Sequence, residues 1–96
     1  MVKIIWTQLA IADLKNIHLY ISAESNVYAD RMIEKLIARV HQLVRFPELG
    51  RMVPEFRQKS IRELIEGNYR IVYKIHQDHI GIARVHHTSR ILKKVD

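Results

Sequence analysis

The 96-residue sequence contains no cysteine, which excludes disulfides, cysteine-ligated zinc, iron–sulfur clusters and a thiol nucleophile. Its three glycines are isolated from one another, so a phosphate-binding loop of the P-loop or dinucleotide type is excluded as well. No run approaches the roughly 18 apolar residues of a membrane span. Asp13 also interrupts the N-terminal segment where a signal peptide would stay apolar. We therefore predict a cytoplasmic protein that does not contact a membrane.

Acidic residues are fewer than basic ones, 10 against 16, so the formal net charge is +6. Residues 1–48 hold six basic and five acidic side chains, a balance of +1, whereas residues 49–96 hold ten and five, a balance of +5. A basic half on a small domain favours a polyanionic partner such as nucleic acid or an acidic protein segment. A solubilising surface accounts for the charge equally well.

The length predicts a single domain over residues 1–96, and its first half has the pattern of two helices. Residues 2–6 predict a short strand, and Thr7 is a suitable N-cap for the first helix. Ser25 or Asn26 caps the second helix, and the short break between the two predicts an antiparallel helical hairpin. The apolar stripes at helical spacing are Ala10, Leu14, Ile17 and Ile21, then Ala29, Met32, Ile33, Leu36, Ile37, Val40, Leu43 and Val44.

The second half changes to the period of β-strands. Residues 46–59 contain both prolines and predict one long loop. Residues 61–65, 69–76 and 79–87 are β-branched and aromatic runs separated by turn residues, which predicts an antiparallel meander. The predicted fold is α+β, with the N-terminal strand and the antiparallel helical hairpin packed on a curved antiparallel sheet. The other face of the sheet is then free for function.

The strand register predicts which side chains share a face. If residues 77–78 form a two-residue turn and residues 66–68 a three-residue turn, Arg62, Arg70 and His87 share the open face. Two guanidiniums and an imidazole suit a phosphodiester and would support RNA cleavage by 2′-OH attack without a metal. Ordinary ion pairing of either arginine with a nearby glutamate is the alternative. The core face then holds Ile71, Tyr73, Ile75, Ile80 and Ile82.

The six histidines do not form a ligand pattern for a metal. His86 and His87 are adjacent on one strand and point to opposite faces. His76 and His79 flank a tight turn, but two imidazoles without a third ligand make a poor site. We predict no metal site and no cofactor.

One ordered set of residues extends along nearly the whole chain. It comprises Trp6, Ala10, Asp13-Leu14, Ile17, Tyr20-Ile21, Ala29, Pro47, Gly50-Arg51, Glu55, Arg62, Leu64, Tyr69 to Tyr73, Arg84 to His87 and Arg90. In this order the set resembles the RelE/ParE superfamily, the toxins of bacterial type II toxin–antitoxin modules, also known as plasmid stabilisation proteins. The resemblance implies a toxin that arrests growth and is silenced by an acidic antitoxin.

Within the superfamily the sequence is most similar to the ParE branch, in Asp13-Leu14, Tyr20-Ile21, the GRMVPE segment at residues 50–55, and His87 followed by Arg90. ParE relatives inhibit DNA gyrase, whereas RelE relatives cut mRNA on the ribosome with basic residues and a C-terminal aromatic. No aromatic residue follows Tyr73. The resemblance therefore implies a gyrase inhibitor, which is not an enzyme. The alternatives are a RelE-like mRNA endonuclease, with His87 in place of the aromatic, and a non-toxic basic nucleic-acid-binding module.

The predicted functional residues form two sets. The target-binding set is Arg51, Arg62, Arg70, His87 and Arg90, and the catalytic candidates of a nuclease are Arg62, Arg70 and His87. Leu9, Ile11 and Leu19 lie off the apolar stripe of the first helix and suit an acidic, amphipathic antitoxin that folds on binding. Ordinary surface positions, or a helix buried on two sides, are the alternative for these three residues.

Overall fold

The computed structural model of the chain describes residues 2–89, and in it two helices cover one face of a five-stranded sheet. The elements are β1 (Lys3–Trp6), α1 (Gln8–Ser22), α2 (Asn26–His41), β2 (Arg51–Met52), β3 (Ile61–Glu66), β4 (Tyr69–Ile75) and β5 (His79–His87). The strand order is β1-β5-β4-β3-β2. The predicted α+β class is confirmed, and the sheet is mixed because β1 runs parallel to β5 while the other pairs are antiparallel.

Both helices begin at the residues whose side chains can cap them. The Thr7 hydroxyl accepts a hydrogen bond from the backbone N–H of Ala10 at 3.1 Å, and the Ser25 hydroxyl accepts one from Tyr28 at 3.1 Å. These bonds satisfy N–H groups that have no partner within the helix, as capping requires. Ser25, rather than Asn26, is therefore the second cap.

The helices bury their stripes against β3, β4 and β5. Ile71, Tyr73, Ile80 and Ile82 are fully buried in this core, and Ile75 packs at its margin. The core face predicted for the meander is therefore confirmed. From the helices the core receives Ala10, Leu14, Ile17, Met32, Ile33, Leu36 and Val40, and Leu43 joins it from the turn that follows α2. Ile37 departs from the predicted stripe because it is exposed.

The register of the meander differs from the predicted one at two points. The β3–β4 turn contains two residues, because Glu66 pairs directly with Tyr69. Its first residue is Gly67, with φ +59°, a conformation that glycine adopts without steric cost. In β5, Ala83 is an extra residue that forms a β-bulge opposite Val72, and pairing shifts by one residue beyond it. A shift of one residue moves side chains to the opposite face.

The face away from the helices is not left free. Residues 46–59 do not form one loop, because Arg51 and Met52 pair with β3 as a short edge strand. The segment after this strand folds over the sheet, where Val53 joins Ile61 and Val72 in a second buried cluster. Glycine, proline and polar residues in this stretch obscure a strand of only two residues. In the part of the chain that the structure describes, no helix is long and apolar enough to cross a membrane.

Candidate functional site

The three side chains predicted to share the open face lie on different faces. Arg70 lies on the face away from the helices, whereas Arg62 pairs with Tyr73 and His87 pairs with Tyr69, whose side chains pack toward the helices. The prediction that Arg62, Arg70 and His87 form one cluster is therefore wrong. The physical reasons are the two-residue turn between β3 and β4 and the bulge in β5.

Arg70 is the centre of an ion-pair network on the face away from the helices. Its Nε donates to Glu63 Oε1 at 2.7 Å, and its terminal nitrogens donate to the two Glu55 oxygens at 2.9 and 3.0 Å. Arg51 Nε donates to Glu63 Oε2 at 2.8 Å. The Glu63 side chain is fully buried and that of Arg70 is 9% exposed. Two guanidiniums thus meet two carboxylates, and their formal charges cancel.

This arrangement gives Arg70 a structural role. The hydrogen bonds to Glu55 raise the pKa of Arg70, and burial only partly opposes them. A phosphate would have to displace carboxylates that already hold the guanidinium through charge-assisted hydrogen bonds. Glu55 belongs to the segment between β2 and β3, so the network also fixes that segment over the sheet. The alternative reading of Arg70, an ion pair with Glu55 or Glu63, is confirmed.

Arg62 is bound to backbone rather than to a carboxylate. Its Nε donates to the Lys59 carbonyl at 3.0 Å, and one terminal nitrogen donates to the Gly50 carbonyl at 2.9 Å. Beside it the Tyr73 hydroxyl accepts from the Gly50 N–H and donates to the Pro47 carbonyl, both at 2.8 Å. Arg62 and Tyr73 together therefore anchor the loop that precedes β2.

Two further arginines belong to the predicted target-binding set. Arg51 has a side chain that is 67% exposed, although its Nε is paired with Glu63. Arg90 lies outside the described residues.

His87 is exposed at the end of β5, beside a cleft between α1 and the β3–β4 turn. Its Nδ1 lies 2.9 Å from the Ser89 hydroxyl and accepts a hydrogen bond from the Ser89 backbone N–H at 3.3 Å. Because a backbone N–H can only donate, this bond requires an unprotonated Nδ1 and places the proton of the neutral ring on Nε2. His87 thus offers one N–H donor away from its backbone.

The space beside His87, which we term the His87 cleft, has a volume of about 680 Å³ and is lined by Asn16, Tyr20, Asn68, Tyr69, His87 and Ser89, with Ile17 and Val85 among its apolar contacts. The Tyr69 and His87 rings meet edge to face with centroids 5.9 Å apart. Burial and the neighbouring Tyr20 phenol raise the pKa of Tyr69. Sequence reasoning missed the tyrosines and asparagines of this cleft, because only the observed register brings them beside His87.

An acidic residue of α1 holds the helix against the bulged part of β5. Asp13 accepts two hydrogen bonds from Arg84, at 2.9 and 3.0 Å, and a third from the Val85 N–H at 2.9 Å. The bond to Asp13 raises the pKa of Arg84. These donors compensate the negative charge of the Asp13 carboxylate, and Asp13 also lines the His87 cleft.

The three apolar residues predicted to contact an antitoxin are exposed on α1. Leu9, Ile11 and Leu19 have 49%, 42% and 71% of their surface in solvent, so the alternative of a helix buried on two sides is wrong. At about 100° per residue, Leu9 and Ile11 lie roughly 160° apart around the helix, on different flanks. Among residues 2–89, the most exposed large apolar side chains are at the tip of the helical hairpin, namely Leu19, Tyr20, Val27 and Tyr28.

The histidines of the β4–β5 turn stack on each other rather than converge on an ion. The His76 and His79 rings are parallel to within 11°, with centroids 4.3 Å apart, and His79 Nδ1 lies 2.8 Å from Asp78. Across residues 2–89, no three His, Asp or Glu side chains are placed to hold a metal.

Comparison with known proteins agrees with this architecture. Residues 4–92 match a family model described as the ParE toxin of the type II toxin–antitoxin system parDE. Toxin RelE2 of Caulobacter vibrioides is 33% identical over 92 residues, which cover 95% of this chain and all of that protein. A solved structure of the chromosomal ParDE system from P. aeruginosa superposes with a TM-score of 0.75 at 22% identity, over 91% of this chain and 96% of that one. The chain therefore belongs to the ParE family of toxins from type II toxin–antitoxin systems.

Proposed function

We propose that this toxin arrests growth by binding and inhibiting DNA gyrase, and that it does not cleave RNA. The observation that carries the proposal is the separation of Arg62, Arg70 and His87. A metal-independent ribonuclease needs cationic groups and a proton-transfer group around one phosphodiester. A toxin that acts by binding needs no such constellation.

The partners of Arg62 and Arg70 support the same choice. Arg70 is neutralised by two carboxylates, and Arg62 donates to backbone carbonyl oxygens. The Arg70 guanidinium would have to break its bonds to Glu55 or Glu63 to bind a phosphate. The sequence also contains no aromatic residue beyond Tyr73, where RelE-type nucleases carry one.

RelE-like cleavage of mRNA on the ribosome is the second candidate. It is favoured by the relative from Caulobacter vibrioides, whose name is RelE2. Exposed His87 is a candidate group for proton transfer. Under this alternative Arg51 and Arg90 would supply the positive charge.

The antitoxin is proposed to bind the exposed apolar residues of the helices. Leu9, Ile11 and Leu19 contribute this surface on α1, and their burial under an amphipathic segment would supply the apolar part of the affinity. The net charge of +6 favours an acidic partner.

The two targets are separated by paired assays on the purified chain. We expect it to block supercoiling by gyrase and to leave cleaved DNA trapped on the enzyme, while mRNA on programmed ribosomes stays intact. Site-specific cuts in ribosome-bound mRNA with unaffected gyrase would instead establish the RelE-like activity. A host that grows normally with abundant folded protein would contradict toxicity and favour the binding module.

Residue variants then test the surfaces. His87→Ala and Arg51→Ala alter exposed side chains and should weaken inhibition of gyrase while thermal unfolding stays nearly unchanged. Leu19→Ser should weaken antitoxin binding by about tenfold, since it removes an apolar contact. Ile65→Ser on β3 is the matched control. Ile65 is exposed, but it pairs with Arg70 and so lies on the face of the sheet away from the helices. Equal loss in both variants would contradict a helix-centred antitoxin site.

A further inference from the structure

We propose that the His87 cleft binds an unpaired base of single-stranded nucleic acid. The observation behind this inference is the composition of the cleft, whose polar and aromatic lining consists of two tyrosines, two histidines (His86 and His87), two asparagines, one serine and one aspartate around one open space. The inference goes beyond inhibition of gyrase and does not depend on which target the toxin attacks. It concerns what the isolated chain can bind.

The rings of the cleft offer surfaces on which a base can stack. Tyr20 is 80% exposed, and Tyr69 is held in place by the edge-to-face contact with His87. Bases stack on tyrosine and histidine rings in proteins that bind single strands, and the contact tolerates any sequence. One ring held on β4 and one exposed ring on α1 thus line the same cleft and give a base two surfaces on which it could stack.

The polar groups of the cleft suit the edge of a base. Asn16 and Asn68 each carry a donor and an acceptor in one amide plane, the pattern that reads the edges of bases. His87 adds a donor at Nε2. The Asn68 backbone is held beside β5, because its carbonyl accepts a hydrogen bond from the Thr88 N–H at 2.8 Å. The two amides come from different elements, Asn16 from α1 and Asn68 from the β3–β4 turn.

The electrostatics of the cleft admit a polyanionic chain. Asp13 is the acidic residue among the lining residues, and Arg84 and the Val85 N–H compensate its charge. Residues 49–96, which supply the β-strand side of the cleft, have a balance of +5. A volume of about 680 Å³ is within the range of small-ligand sites. A base in a duplex cannot enter such a cleft, because its faces are already stacked.

The test is direct binding by the full chain. We expect a fluorescein-labelled single-stranded dodecamer, DNA or RNA, to bind more tightly than the same sequence in a duplex, as measured by fluorescence anisotropy. Tyr20→Ala should weaken binding of the single strand by about tenfold, the effect expected for one stacked base. The loss should persist at two salt concentrations with unchanged salt dependence, because no phosphate contact is removed.

The matched control is Tyr28→Ala, which removes a tyrosine of similar exposure, 68%, at the same hairpin tip but outside the cleft. It should leave the affinity unchanged. A second pair, Asn16→Ala in the cleft and Asn26→Ala outside it, tests the amide in the same way. All four residues are exposed, so thermal unfolding should stay within a few degrees of the parent and show that the variants fold.

NMR titration then identifies the residues that the oligonucleotide contacts. In NMR titrations with the unlabelled dodecamer, the ring signals of Tyr69 and His87 should shift, whereas those of Tyr28 should not. Equal effects of Tyr20→Ala and Tyr28→Ala, equal affinity for single strand and duplex, or no binding would each overturn the proposal. Loss of antitoxin affinity in Tyr20→Ala with unchanged oligonucleotide binding would also overturn it, and would make the cleft a peptide site.

Discussion

On the helix side of the sheet, α1 and α2 bury one continuous apolar cluster, whereas the other side holds three buried apolar residues and four ion-paired ones, contributed by the strands and by the segment after β2. Stability on the first side grows with the apolar area removed from water and needs no particular partner for each side chain. On the second side each buried charge depends on its partners. The comparison suggests that the helix side determines the fold, and that the network determines where the segment after β2 lies.

The largest expected effect is on the helix side. Tyr73→Ala removes a fully buried aromatic ring and should lower the free energy of unfolding by about 3–5 kcal/mol. Denaturant unfolding followed by circular dichroism measures this loss. A change below about 1 kcal/mol would contradict the central position of Tyr73 in the core.

Tyr73→Phe separates the ring from its hydroxyl. This variant keeps the packing but leaves the Gly50 N–H and the Pro47 carbonyl without the hydroxyl that joins them. An unsatisfied buried group costs about 1–3 kcal/mol, so this loss should be smaller than that of Tyr73→Ala. Gly50 cannot readily be replaced beside this ring, since an added Cβ would lie 2.6 Å from the Glu63 carbonyl oxygen.

The second effect tests the network. Arg70→Ala leaves buried Glu63 with Arg51 alone, and we expect a loss of about 3 kcal/mol, at the low end for breaking a buried ion pair. This result would support the structural role of Arg70, which the sequence pattern places on an open face of the sheet. Arg51→Ala is the matched control on the same carboxylate, and its cost should stay below about 1 kcal/mol because its side chain is mostly in solvent.

The third effect is a pH dependence of stability that we expect from Tyr73 on the helix side and not from Arg70 on the other side. Burial raises the pKa of Tyr73 above its ordinary 10.0, so the unfolded chain loses this proton first as the pH rises. The contribution of Tyr73 to stability is therefore full below pH 10 and is lost as the pH rises through its folded pKa. Tyr73→Phe should flatten the alkaline fall in stability, measured by denaturant unfolding across that range. Arg70→Ala should leave the slope unchanged, since the network contains no phenol.

The smallest effect is at the β4–β5 turn. Burial, followed by the charges of His79 and Lys74, lowers the pKa of His76 below its ordinary 6.5. Its contribution to stability is then present above pH 6.5 and is lost as the pH falls through the folded pKa. NMR titration should give His76 a pKa below 6.5. The variant His79→Ala should raise this pKa by more than Lys74→Gln does. A value at or above 6.5 in the parent chain would contradict the stacked arrangement.

The helix side could be predicted from the sequence because its signals are local. Thr7 and Ser25 have the chemistry of N-caps, and the apolar stripes repeat at the helical period. The core position of Tyr73 followed from the alternation within β4 and from a turn of two residues after it. None of these inferences needs contacts between distant residues.

The other face could not be predicted, because it depends on two single-residue details. The bulge at Ala83 has no distinctive residue type, and the β3–β4 turn fits either two or three residues. The pairing of Arg70 with Glu55 requires the segment after β2 to fold back over the sheet, which no periodicity encodes. Tyr20 and His87 are far apart in sequence, so the cleft that they both line could not be predicted from the sequence either.

The parallel pairing of β1 with β5 has a consequence for the order of events during synthesis. At the end of β1 the Thr7 N–H and hydroxyl both donate to carbonyl oxygens of β5, across 75 and 76 residues of sequence. Contacts of this separation form late in folding, because a long loop must close first. During synthesis, β1 therefore cannot pair with β5 until β5 has been translated and has left the ribosome. We expect the α1–α2 hairpin, with its exposed apolar tip, to be accessible to an antitoxin before the sheet and the His87 cleft are complete, so that the nascent toxin can be neutralised before it matures.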